Sequence, residues 1–213
     1  SIPSFTDAFF ETMSGFTTTG STILDEIESL PKSILFWRSM TQWIGGMGII
    51  VLTIAILPLL GIGGMELFVA EAPGPTKDKI HPRIKETAKR LWIIYFSLTA
   101  LETVILMLLG LSFFDAINHS LTTTSTGGFS TKQESIAAFH NPLVEAVIVI
   151  FMFLAGTNFT MIYFGLKMKF RKIINNDEFK WYLSAMIVLI LLLSSYRTLT
   201  SSSDFMHSFR EIS

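Results

Sequence analysis

Ser4-Phe5-Thr6-Asp7-Ala8-Phe9-Phe10-Glu11-Thr12-Met13-Ser14-Gly15-Phe16-Thr17-Thr18-Thr19-Gly20-Ser21-Thr22 returns, displaced by 108 positions, as residues 112–130. Six of the nineteen positions are identical (Ser4/Ser112, Phe5/Phe113, Asp7/Asp115, Ala8/Ala116, Thr18/Thr126, Gly20/Gly128), and four more exchange Ser for Thr. Average composition would give about one match by chance. Both copies open on Ser-x-x-Asp, and Ser208 with Glu211 starts a third copy in the same way. In that capping-box pattern the serine hydroxyl and the acid satisfy free amide hydrogens at a helix start. Each copy therefore predicts a short helix, ending near Gly15 in the first and near Thr123 in the second, with a tract of Thr, Ser and Gly beyond it. A helix of about a dozen residues is too short to cross a bilayer, so the pattern predicts a re-entrant helix and loop.

The rest of the chain supplies the bilayer. Of 213 residues, 50% are hydrophobic and 15% charged, with a mean hydropathy of +0.52. A soluble domain carries about 25% charged residues, so a buried-helix soluble core of this size would lack the charge to coat itself. Four apolar stretches approach spanning length: residues 39–65, 91–114, 146–166 and 181–196, with Glu102 the single charge inside them. Trp37, Trp43, Trp92, Tyr163, Trp181 and Tyr196 fall near their ends, as interfacial anchors do. The repeat unit is span, short re-entrant helix, polar loop, span.

Charge sets the orientation. Eleven of the sixteen Lys and Arg residues follow the first and third stretches, and five occupy all other regions. The positive-inside rule puts the two basic connections in the cytoplasm. A formal net charge of −1 argues against nucleic acid as a partner. The absence of cysteine excludes disulfides, thiolate zinc sites and cysteine nucleophiles, and His81, His119, His140 and His207 fall in no metal-ligand spacing. The chain opens at Ser1 with no basic-then-apolar leader, and the expectation is an excerpt of a longer membrane protein.

The helix C-termini point at the chemistry. Unpaired carbonyls give such an end about half a negative charge, and a re-entrant helix aims it at the bilayer interior. Beyond it, Thr17-Thr18-Thr19-Gly20 and Ser125-Thr126-Gly127-Gly128 are tracts whose carbonyls can replace the water around a dehydrated monovalent cation. Glycine permits the backbone angles that turn successive carbonyls one way, and the hydroxyls add ligands without net charge. An inert extracellular loop is the alternative for one copy alone. Gly45-Gly46-Met47-Gly48 lies in an apolar run with no Lys-Ser/Thr after it, which favours helix packing or a bend over phosphate binding. Glu102 is read as a structural partner. An intramembrane hydrolase needs a nucleophile with its base, or paired acids, and a scaffold would tolerate bulk at the loop glycines, so transport without chemistry is the reading preferred.

The motifs Ser14-Gly15-Phe16-Thr17-Thr18-Thr19-Gly20, Trp37-Arg38-Ser39-Met40-Thr41-Gln42-Trp43-Ile44-Gly45-Gly46-Met47-Gly48 and Ser125-Thr126-Gly127-Gly128-Phe129-Ser130-Thr131 resemble the Trk/Ktr/HKT superfamily of cation transporters, and most closely its TrkH-type bacterial potassium uptake subunits. The resemblance implies an all-α membrane protein of span–pore helix/filter loop–span units around one pseudo-fourfold pore, with about two repeats present. Gly20 and Gly128 match the first two filter glycines. Thr17, Thr18, Thr19, Gly20, Ser125, Thr126, Gly127 and Gly128 would then be the selectivity filter, with potassium at Thr18, Thr19, Thr126 and Gly127. Residues 1–60 would hold the pore helix, filter and second span of repeat 1. Residues 91–166 would form repeat 2, and 181–213 the first span and pore-helix start of repeat 3. Cytoplasmic loops would occupy 61–90 and 167–180. The resemblance further implies no covalent cofactor, potassium as the transported ion, the lipid bilayer as environment, a homodimer, and a TrkA-type cytoplasmic nucleotide-binding regulatory subunit. The location would be a bacterial inner membrane, crossed several times. A sodium/potassium-permeable variant of the same pore is the near alternative.

Overall fold

Ser4 starts the first helix as its side chain dictates: in an extended conformation, its Oγ accepts the Asp7 N–H at 3.4 Å, and Asp7 sits in the favourable first turn of α1, Phe5–Phe16. Ser112 repeats this at 3.1 Å from the Asp115 N–H, and its hydroxyl donates to Asp115 Oδ2 at 2.6 Å, opening α4, Phe113–Thr124. The computed structural model describes residues 4–56 and 80–200, so the third copy at Ser208 and most of the 61–90 loop lie outside the described residues.

Between the short helices run α2, Lys32–Ile56, and α3, Ile80–Leu108; after them come α5, Pro142–Gly156, α6, Phe159–Leu166, α7, Phe170–Ile174, and α8, Asp177–Thr200. Short 3-10 turns occupy Ile27–Ser29 and Ser135–Phe139, and the described residues contain no strand. The chain divides into two compact units at Ala155–Gly156.

In the first unit α2 is the shared element, packed against α1, α3 and α4, while α4 lies along α3. Leu106, Ala116, Val144 and Ile148 form a core cluster flanked by Leu109, Leu111, Ile136 and Val147. Trp43, expected at a membrane interface, is a packing residue: its Nε1 donates to Thr99 Oγ1 at 3.0 Å, and Tyr95 donates its hydroxyl proton to the Trp43 carbonyl at 3.0 Å. Gly45 and Gly46 let α2 approach. A Cβ on Gly45 would strike the Phe16 carbonyl, and one on Gly46 would stand 3.0 Å from Ser125 Cβ. The helix continues unbroken through this glycine run, so packing is its role.

Two spans differ from expectation. The second ends at Leu108 instead of residue 114, because Gly110 (φ +100°) closes the helix with Gly110 N–H to Met107 O at 3.0 Å and Leu111 N–H to Leu106 O at 3.1 Å. The third is two helices, α5 and α6, interrupted at Thr157 and Asn158. Among the described residues one stretch, Ala88–Leu108, is long and apolar enough to cross a membrane, with Pro142–Gly156 apolar but shorter. The apolar runs of α2 and α8 end among residues whose side chains are not described.

The second unit is small. Asn176 Oδ1 accepts the Phe179 N–H at 2.9 Å and starts α8, while Asn158 Nδ2 donates to Glu178 Oε2 at 3.3 Å. The helix α7 packs against both α6 and α8.

Candidate functional site

A helix ends in a Schellman turn when its last carbonyls are taken by two amides beyond it and the residue between adopts a left-handed conformation. Both short helices end this way. After α1, Thr18 N–H donates to Gly15 O and Thr19 N–H to Ser14 O, both at 3.0 Å. After α4, Thr126 N–H donates to Thr123 O at 2.9 Å and Gly127 N–H to Thr122 O at 2.8 Å. These bonds match residue for residue at the 108 displacement.

The dihedral angles match as well. Thr17 and Ser125 are right-handed, with φ −83° and −85°. Thr18 and Thr126 are left-handed, at 56° and 55°, and Gly20 and Gly128 both have φ +79°. Left-handed backbone costs an L-residue roughly 1–2 kcal/mol, and a β-branched residue there is an outlier. Two threonines sharing it in register mark backbone strain of the kind found at functional sites.

The two tracts meet. A Cβ on Gly20 would collide with the Gly127 carbonyl oxygen, whereas one on Gly128 would meet nothing within 4 Å. Thr17, Thr19, Thr126 and Gly128 are exposed, Thr18 and Gly20 are half-buried, and Ser125 and Gly127 are buried. The capping hydroxyls are engaged: Thr17 Oγ1 donates to Met13 O at 2.7 Å and lies 2.8 Å from Thr19 Oγ1, and Ser125 Oγ donates to Leu121 O at 2.9 Å. Neither helix carries a basic residue in its last turn, so neither supplies a cation of its own to its partial negative end.

A polar brace stands behind them. Glu11 and Arg38 form a buried ion pair, Nη2 to Oε1 at 2.8 Å, with Arg38 Nε donating to the same oxygen at 2.9 Å. Glu11 also accepts Thr22 Oγ1–H at 3.0 Å and Ile23 N–H at 3.1 Å, which pins the chain leaving the first tract. The Arg38 guanidinium lies 4.2 Å from the Phe129 ring centroid, and Gln42 Oε1 accepts the Phe129 N–H at 3.1 Å. Beyond the tracts, Ile27 N–H donates to Gln133 Oε1 at 3.3 Å and Lys132 Nζ lies 3.7 Å from Glu28 Oε1.

Sequence reasoning missed Glu11, Arg38 and Gln42. The available signal was polar residues at helical spacing, Arg38 and Gln42 four apart, leading into an apolar run. Glu102, read as a structural partner, is fully buried on α3, with the Thr123 side chain among its polar neighbours. Among the described residues no cluster of three His, Asp or Glu has metal-holding geometry.

The comparisons with known proteins agree on one family. Residues 1–205 match the family model for TrkH, described as cation transport protein. The chain is 48% identical over 189 residues to the Trk system potassium uptake protein TrkH of Salmonella typhimurium, a match covering 88% of this chain and 39% of that protein. It is 45% identical over 192 residues to the Trk system potassium uptake protein TrkG of Escherichia coli, covering 89% and 40%. The crystal structure of the potassium transporter TrkH from Vibrio parahaemolyticus superposes with a TM-score of 0.83 at 38% identity, covering 98% of this chain and 42% of that one. The chain thus spans about two fifths of the length of these relatives.

Proposed function

This chain belongs to the TrkH family of cation transport proteins, and from that premise we propose that it carries potassium across the membrane through a filter built from Thr17 to Gly20 and Ser125 to Gly128. The family is one of membrane transporters and not of enzymes, and the intramembrane-hydrolase and scaffold readings have no support. In the proposal potassium passes against the carbonyls of Thr18, Thr19, Thr126 and Gly127. Residues 1–60 and 91–166 supply one loop each, and 181–213 begins a third repeat.

One observation carries this reading: the two tracts share a backbone, each with positive φ at a threonine and again two residues later at a glycine, and they abut at Gly20 and Gly127. Backbone that alternates in hand is the arrangement that lines peptide oxygens along one side, where they stand in for a cation's water. The C-terminal ends of α1 and α4 add partial negative charge. No acid lies within either tract, so the hold on the ion is weak enough to release it.

The relatives are named as components of a Trk potassium uptake system. By extension the protein works in the bacterial inner membrane as a homodimer regulated by a TrkA-type nucleotide-binding subunit. The deciding experiment measures potassium and sodium uptake at matched membrane abundance for Gly20→Ser and Gly128→Ser, expressed from the complete reading frame. Both variants are expected to lose preference for potassium. An unchanged preference in both removes these loops from the ion path.

A further inference from the structure

Gln42 is fully buried on α2, and its amide lies against the place where the two tracts meet. Its Oε1 accepts the Phe129 N–H, the first amide after Gly128, at 3.1 Å. A Cβ on Gly127 would run into the same carboxamide, and one on Gly20 would stand 3.8 Å from Gln42 Nε2. That nitrogen is buried with no hydrogen-bond partner among the described residues. A buried amide left half-satisfied is disfavoured relative to an apolar side chain of the same size. Packing alone therefore does not account for glutamine at this position. The oxygen is the part the fold uses.

We propose that Gln42 is a positioning residue for the second ion-lining tract: by accepting the Phe129 N–H it fixes the peptide that carries the Gly128 carbonyl, and its carboxamide packed against Gly127 holds the tract leading into that peptide. The assignment rests on the filter reading above and deepens it. Gly128 needs such a hold, because its φ of +79° is available to glycine in many combinations and open space surrounds the place of its absent Cβ. Gly20 is confined by the Gly127 carbonyl instead. The Arg38 guanidinium, one turn earlier on α2, seats the Phe129 ring at 4.2 Å, so α2 holds this residue by ring and by amide.

The test compares Gln42→Met, Gln42→Leu and Gln42→Glu, with Gly128→Ser as reference, in the protein expressed from its complete reading frame. Potassium-to-sodium uptake ratios are measured at matched membrane abundance. Methionine and leucine keep the bulk and remove the acceptor, so the ratio should fall about fivefold or more, as expected for an abandoned buried donor. Glutamate keeps an oxygen for the Phe129 N–H, protonated or not, and should bring the ratio back toward that of the unsubstituted protein. If neither apolar variant accumulates, the glutamate variant decides alone: a ratio held near the unsubstituted value supports the assignment, and a collapsed ratio overturns it. An unchanged ratio in Gln42→Met beside a lowered one in Gly128→Ser overturns the role of Gln42 and leaves the filter standing. Equal losses in Met and Glu variants also overturn it. Unchanged ratios in Gly128→Ser and in all Gln42 variants overturn the filter reading and this assignment together.

Discussion

The carbonyl oxygen of Gly127 occupies the space in which a side chain on Gly20 would have to begin. Two loops separated by more than a hundred residues thus meet backbone to backbone at this point, and the contact sets unequal demands on two glycines with the same φ. At Gly20 a side chain meets both backbone strain and a fixed carbonyl; at Gly128 it meets strain only.

Gly20→Ala should accordingly be the more damaging of the two alanine substitutions. Strain at an unfavourable φ costs roughly 1–3 kcal/mol, and the Gly127 collision adds to it at position 20 only. Membrane abundance and thermal midpoint of purified Gly20→Ala and Gly128→Ala give the ranking. Equal losses would mean that the Gly127 contact does not constrain the loop.

Thr18→Gly and Thr126→Gly should raise stability. Glycine takes the left-handed position without the roughly 1–2 kcal/mol that threonine incurs, and it is the usual residue at this point of a Schellman turn. The same freedom should loosen the tract and lower ion preference. Thermal unfolding and uptake ratios on the same preparations test both halves, and a drop in thermal midpoint would contradict the strain.

Arg38→Met should strand Glu11 in a buried setting, since the side chains of both partners are 7% exposed. Breaking one partner of a buried pair costs roughly 3–5 kcal/mol, enough to deplete folded protein. Replacing both, Glu11→Gln with Arg38→Met, should be less harmful than Arg38→Met alone. A double variant as depleted as the single one would show that the pair is not coupled.

Cysteine placed at Lys172 should react only with reagents that enter the cytoplasm, and cysteine at Lys132 from outside. These 213 residues contain no cysteine of their own, and any cysteine elsewhere in the complete protein is replaced beforehand. Labelling of position 172 from outside in intact cells would reverse the orientation drawn from the basic residues.

What could be read in the sequence was what is local. Ser4 and Ser112 announce α1 and α4 because a cap is a matter of four consecutive residues, and Gly20 and Gly128 stand out because the register repeats them. The left-handed threonines were hidden, since propensity assigns that conformation to glycine and Thr18 and Thr126 adopt it against preference. Gln42 was hidden because its partner Phe129 lies 87 positions away, and Arg38 because Glu11 lies 27 away. The interruption at Thr157 and Asn158 was masked by the apolar residues on both sides, which dominate any average over a span-length window.

Sliding the chain by 108 carries Glu11 onto His119, and here the copies part company. Glu11 holds Arg38, Thr22 and Ile23, while His119 is buried edge-on against Phe139, 5.3 Å between ring centroids. The two copies share one turn and differ in how it is fastened. The two loops are therefore not interchangeable parts. A chain with residues 112–130 transplanted onto 4–22 would rebuild the same bend and leave Arg38 facing an imidazole in place of its carboxylate.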